Sequence, residues 1–205
     1  RGIIDAVTRR MKSGIADLPD GDYEFADVLD DDGMGTKDIP ISVKINIRHN
    51  EIWLNFAGSG AQVTGNMNNS FAGLQASVLF ALKVLIDPDG PTNHGMLDPV
   101  HIEAPEASVV NASFPAATAA RAQTCQRIID VILGALAPAV PERVIAACNG
   151  ANGVATFSGK GPDGQYYLYM ETIGGGAGGR SYKDGSDGIQ VHVTNTSNLP
   201  VEALE

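Results

Sequence analysis

Apolar and polar positions alternate with two different periods along this chain, and the switches between them mark its elements. Ile3, Ile4, Val7, Met11 and Ile15 recur at helical spacing and predict a helix over 2–15. The turn Leu18-Pro19-Asp20-Gly21 ends it, and 22–29 then alternates like a strand. Residues 39–47 and 51–56 alternate cleanly around Arg48-His49-Asn50, which predicts a hairpin with one wet face. Residues 57–69 are small and polar and read as a loop. Residues 71–86 read as a buried helix closed by Asp87-Pro88-Asp89-Gly90. Short extended pieces follow at 100–103 and 109–111. A long Ala-rich helix is predicted over 116–136, stopped by Pro138 and Pro141, with another over 142–148. After a loop at 150–153, strands at 155–157 and 166–172 flank the turn Pro162-Asp163-Gly164, and 188–194 reads as the last strand. This order predicts an α+β fold, with mixed or antiparallel sheets and a few packed helices, rather than strict βαβ alternation.

Composition narrows the function classes. The chain has 205 residues, enough for one large domain or two small ones, and is 43% hydrophobic, which fits a globular protein with a real core. A sub-boundary is placed near 112–118. The net charge of −10 argues against binding nucleic acid or a polybasic-seeking membrane surface, because both need basic patches. The longest apolar run, 76–86, is too short to span a bilayer and contains Lys83. Arg1 in place of a start methionine, and a first helix without a cap, predict that a longer chain precedes it. Cys125 and Cys148 are too few for a disulfide framework. Their apolar, helix-like surroundings predict reduced thiols and a cytoplasmic protein. Whether the two meet stays open.

Candidate chemistry concentrates between Glu171 and Glu202. Gly174, Gly175, Gly176, Gly178 and Gly179 form a run that suits either a flexible loop or a backbone that approaches something closely. Gly174, Gly176 and Gly179 fit a dinucleotide spacing, but the polar, glycine-punctuated stretch 180–188 offers no helix N-terminus for a pyrophosphate. Gly159-Lys160-Gly161 lacks the form of a phosphate-binding loop. Asp30-Asp31-Asp32-Gly33 reads as a polar turn, since a calcium loop needs a later glycine and a twelfth-position acid. No elbow presents a nucleophilic serine, and nothing near Cys125 lowers its pKa. His49 reads as solvated and His101 as structural. His94 and His192 are the better ligand candidates, and Asp184, Asp187 and Glu171 join His192 only through folding.

A family resemblance covers nearly the whole chain. It runs through LPDGDYEFADVLDDDG at 18–33, IWLNFAGSGAQVTGNMN at 52–68, DPDGPTNHG at 87–95 and IEAPEASVVNASFPAA at 102–117. It continues through QRIIDVILGALAPAVPERV at 126–144, ETIGGGAGGRSYKDGSDG at 171–188 and HVTNTSNLPVEALE at 192–205. Each motif is weak alone, but in this order the set resembles the hydantoinase B/oxoprolinase family. The resemblance implies a portion of the B-type subunit of an ATP-dependent amidohydrolase that opens cyclic imides or lactams such as hydantoin or 5-oxoproline. It further implies a partner A-type subunit that binds ATP, a divalent metal in the full-length B-type subunit itself, and a large hetero-oligomer. A ketone carboxylase of the same family and a non-catalytic subunit-docking domain are the alternatives.

One departure matters. The family's metal-binding pattern, an Asn-Asp-Pro stretch followed by Gly-Thr-His and Asp, is not found here, nor is a further glycine-rich region after PVEALE. The chain is therefore expected to be an internal portion of the subunit, inactive alone, and no metal ligand is carried over. The expected substrate contacts are Arg180, Asp184, His192, Asn195 and His94, with the glycine run covering the site. Turn caps and interface hydrogen bonds account for each of them equally well.

Overall fold

A computed structural model describes residues 2–150, 153–190, 192, 194 and 196–203. Its centre is a four-stranded sheet made of β1 (Gly21–Asp31), β2 (Lys37–Arg48), β3 (Glu51–Asn55) and β4 (Val100–Glu103), in the order β1-β2-β3-β4. The first three strands run antiparallel, with Phe25 opposite Val43 and Ile45 opposite Leu54. β4 joins β3 in parallel, Ile52 opposite Val100. The alternation of β2 explains its place. Ile39, Ile41, Val43, Ile45 and Ile47 all point to one face and are almost wholly buried. Pro40 is tolerated because β3 pairs only with Lys44 to Arg48, so β2 has one strand neighbour at that point.

Three helices cover the apolar face: α1 (Gly2–Ala16), α2 (Phe71–Ile86) and α3 (Arg121–Leu136). α3 lies on β1 and β2, α1 on β3, and α2 packs against α3. α1 buries Val7, Met11 and Ile15, the stripe its spacing predicts, while Ile3 and Ile4 stay exposed. The opposite face of the sheet is polar and open, carrying Asp22, Glu24, Lys44, Asn46, Asn55 and Glu103 around Trp53. His101 stacks on Trp53 at 4.8 Å and pairs with Glu51 at 2.7 Å, a structural role. A separate antiparallel hairpin, β5 (Gly153–Lys160) and β6 (Tyr166–Ile173), and the short pair β7 (Ile189–Gln190) and β8 (Thr196–Ser197) complete the sheets. The arrangement is α+β, as the element order predicts. No helix among the described residues is long and apolar enough to cross a membrane.

Four expected elements change. The helix expected over 116–136 starts only at Arg121. Its would-be first turn is held by the preceding loop: Ala120 N–H donates to Asn66, and the buried Asn68 amide donates to Val63, Gly65 and Ala117. The helix expected over 142–148 does not form. There, Ala146 N–H donates to Gly179 O, Cys148 N–H to Asp130, and Asn149 N–H to Gly176 O. These donors serve other segments, so no i−4 ladder is built. Residues 109–111 make isolated bridges, through Ser108 with Ala61 and Asn111, rather than a strand. The last expected strand, 188–194, is regular only over Ile189–Gln190, and 191 and 193 lie outside the described residues.

The glycine run is explained by close approach. A Cβ on Gly178 would sit 1.9 Å from Ala146 O, and Gly176 has φ +132°. Residues 174–179 therefore lie against 146–149, which no bulkier residue permits at those two positions.

Candidate functional site

The best-equipped recess is a cleft of about 640 Å3 between α2, the start of segment 142–145 and the loop after the glycine run. Phe80, Val84 and Leu85 form an apolar wall, and Glu142, Arg143, Arg180, Tyr182 and His192 supply polar groups. A larger groove of about 920 Å3 lies on the open face of the sheet. Its walls contain neither imidazole nor thiol, so the smaller cleft has the chemistry that a reactive site needs.

His192 sits at the floor of this cleft with its side chain only 4% exposed. Its Nε2 lies 2.8 Å from Asp130 Oδ1, and its ring meets Phe80 edge-on at 6.2 Å. The backbone at His192 is left-handed, with φ +63°, an unfavourable setting for a residue with a side chain. Asp130 comes from the middle of α3 and its side chain is 2% exposed. Each oxygen is answered: Oδ1 also accepts from Cys148 N–H at 3.3 Å, and Oδ2 lies 3.5 Å from Cys148 Sγ and 3.6 Å from Arg127 Nη1. The Arg127 guanidinium is engaged mainly by Asp27 Oδ2 at 2.6 Å, across from β1.

Cys148 is partly buried and not part of a disulfide, and Cys125 is likewise free. The open question of their pairing thus resolves to two thiols. Cys148 does not lie in the helix-like apolar run expected of it. It lies in an irregular segment beside a carboxylate, where burial and the negative charge of Asp130 push its thiol up to about 11. It faces a carboxylate and is held protonated, so it does not act as a thiolate nucleophile.

The expected site residues fall in different places. Arg180 and His192 line the cleft together. Arg180 is exposed at the rim, in a turn closed by its N–H donating to Lys183 O at 2.7 Å. Asp184 is exposed and is not among the cleft's lining residues. His94 is exposed at the start of a 3₁₀ turn that packs on α1 and buries Gly95 and Met96; the cap of this turn is Asn93, accepting from Gly95 N–H at 2.9 Å. Asn195 lies outside the described residues. The sequence reading missed Asp130, Arg127 and Cys148. One signal was present: Asp130 interrupts IIDVIL, and an acid inside an apolar helical stripe needs a partner once buried.

Comparison with known proteins agrees with this architecture. The sequence matches the family described as Hydantoinase B/oxoprolinase over residues 1–205. It is 33% identical over 208 residues to a protein of Pseudomonas sp. strain NS671 assigned as the B-type subunit of a D-/L-hydantoinase, matching 96% of this chain and 35% of that protein. Among solved structures, the ATP-dependent caprolactamase of Pseudomonas jessenii superposes with a TM-score of 0.75 at 26% identity, over 90% of this chain and 32% of the other. Acetone carboxylase shares the fold, with a TM-score of 0.70 at 14% identity over 89% of this chain and 27% of that one. The chain thus spans about a third of the hydantoinase relative's length.

Proposed function

This chain belongs to the hydantoinase B/oxoprolinase family, and on that premise we propose that it is part of the B-type subunit of an ATP-dependent amidohydrolase that opens cyclic imides or lactams. The observation that carries the reading is the cleft, which brings the apolar side chains Phe80, Val84 and Leu85 together with Arg180 and His192. A small heterocycle has methylenes to bury and a carbonyl whose oxygen gains negative charge on attack. The wall suits the first, and the guanidinium and imidazole suit the second. The relatives' names, a hydantoinase and a caprolactamase, describe ring amides of this kind.

Amide resonance makes uncatalysed ring opening slow. In this reading the partner A-type subunit transfers a phosphoryl group from ATP to the carbonyl oxygen, and the B-type subunit completes the opening. Arg180 neutralises charge on the activated oxygen, and His192, braced by Asp130, orients the ring. The divalent metal of the second half-reaction belongs to the same proposal, but the described residues do not fit it. Their one three-donor group, Asp130, Cys148 and His192, is closed off, with two of its side chains 2% and 4% exposed, whereas a catalytic metal keeps an open position. No step is derived through it. A cytoplasmic setting fits two free thiols.

A second reading, subunit docking, is favoured by the β5–β6 hairpin, which exposes Tyr166, Leu168 and Met170. The two separate in the full-length parent with its A-type partner. Ring opening of hydantoin, 5-oxoproline and caprolactam is measured with ATP, with and without bicarbonate. Arg180→Ala is expected to lower turnover per assembled complex by about 100-fold, the cost of one transition-state charge contact. Reduced assembly with unchanged turnover per complex establishes docking instead, and turnover of a ketone that requires bicarbonate establishes a carboxylase.

A further inference from the structure

We propose that Asp130, Cys148 and His192 form a closed zinc site that clamps the two irregular segments of the chain onto α3. The three donor atoms all lie within 4.8 Å of one another. His192 Nε2 stands 2.8 Å from one carboxylate oxygen of Asp130, and Cys148 Sγ stands 3.5 Å from the other. One carboxylate oxygen, the imidazole and the thiolate fill three positions of a tetrahedral zinc, and a water buried with them takes the fourth. Bonds of zinc to nitrogen, oxygen and sulfur place tetrahedral donors roughly 3.2–3.8 Å apart. The thiol already stands at such a distance, and the imidazole needs only a small outward shift. A thiolate and an imidazole select zinc over magnesium or calcium, which bind through oxygen.

The charge balance permits it. Arg127 is the nearest cation, 3.6 Å from Asp130, but it has its own carboxylate in Asp27 at 2.6 Å. Asp130 can turn wholly to a metal without leaving Arg127 unpaired. On binding, the Cys148 sulfur–hydrogen bond breaks, its electron pair forms the sulfur–zinc bond, and the proton passes to solvent.

The placement gives such an ion a purpose. Cys148 and His192 lie 18 and 62 residues from Asp130 along the chain. Both sit in segments with little regular structure, and the bonds between the two stretches of chain include Ala146 N–H to Gly179 O. Closing two such loops at one point limits the conformations otherwise open to them. Because His192 also floors the cleft, the ion fixes the position of a cleft side chain without touching substrate. The zinc clamp shares His192 and Asp130 with the ring-opening reading, but its test reads metal binding rather than turnover, so either can fail without the other.

Metal binding is read directly, in the full chain stripped with EDTA. Zinc is titrated against a chromophoric chelator and counted by mass spectrometry, and cobalt(II) is added as a spectroscopic probe. The expected result is one zinc per chain, a raised melting temperature with zinc, and a near-ultraviolet thiolate-to-cobalt band. Cys148→Ser is expected to abolish the band, His192→Gln to weaken zinc by at least about 100-fold, and Cys125→Ser to leave both intact. The proposal fails if the unmutated chain shows no thiolate band. It fails equally if Cys148→Ser and His192→Gln bind zinc as tightly as the parent. The titration of the unmutated chain decides the matter even where a variant does not fold.

Discussion

Asp32 and Asp130 are each 5% exposed, and each is answered differently. Asp130 relies on side chains from far along the chain. Asp32 relies on backbone: Gly65 N–H donates to Oδ2 at 3.0 Å, and Met34 and Thr36 N–H donate to Oδ1 at 2.8 and 2.9 Å. Burial alone raises its pKa, but these donations outweigh it and hold the carboxyl at about 2. A carboxyl depressed in the folded state stabilises above its unfolded pKa of about 3.9 and loses that contribution as pH falls toward 2. Asp32→Asn is therefore expected to lower the urea midpoint at pH 7 and to flatten the decline in stability between about pH 4 and pH 2. An unchanged acid limb rules this account out. The turn expected at Asp30-Asp31-Asp32-Gly33 comes later than the sequence suggests, because β1 runs on through Asp30 and Asp31 and the chain bends only from Gly33. His192 was legible as a candidate, but its partner was sought in Asp184, Asp187 or Glu171, all near it in sequence. The true partner lies 62 residues away, and local spacing carries no record of such a contact.

Elements with strong periodicity or clear caps come out where the pattern puts them. α2 starts after Ser70, whose extended backbone and Oγ, accepting from Gly73 N–H at 3.2 Å, make an N-cap. Ser70→Ala is expected to cost about 1 kcal/mol, measured by denaturant unfolding. A loss near zero shows that the apolar faces of α2 hold it without the cap. β2 follows its five alternating Ile and Val residues with no deviation. The failures have a shared cause. Segment 142–148 has acceptable helix composition, yet the N–H groups of Ala146 and Cys148 are taken by Gly179 and Asp130. The start of α3 slips to Arg121 because Asn66 accepts from Ala120. In both cases a long-range acceptor outcompetes the helical one, and propensity is too weak to resist it.

The molecule divides into a dense part and a sparse part. The sheet β1–β4 with its three helices holds the continuous core, whereas β5 and β6 pair mainly with each other and leave Tyr166 80% and Leu168 69% exposed. In the isolated chain, backbone amides of β5 and β6 are expected to exchange with solvent at least about 100-fold faster than those between Ile41 and Ile47. Equal protection overturns this division. The α+β class, the wet and dry faces of the sheet and the buried helix at 71–86 were all set by the order of apolar positions. Periods of two and 3.6 residues are local properties that survive folding unchanged. The resemblance to the family was likewise written in the order of short motifs. The cluster of Asp130, Cys148 and His192, the cleft that Arg180 and His192 share with Phe80, and the approach of Gly178 to Ala146 were decided only in three dimensions. Each joins segments distant in sequence, and the burial and hydrogen bonds that hold them arise only once the core has brought those segments together.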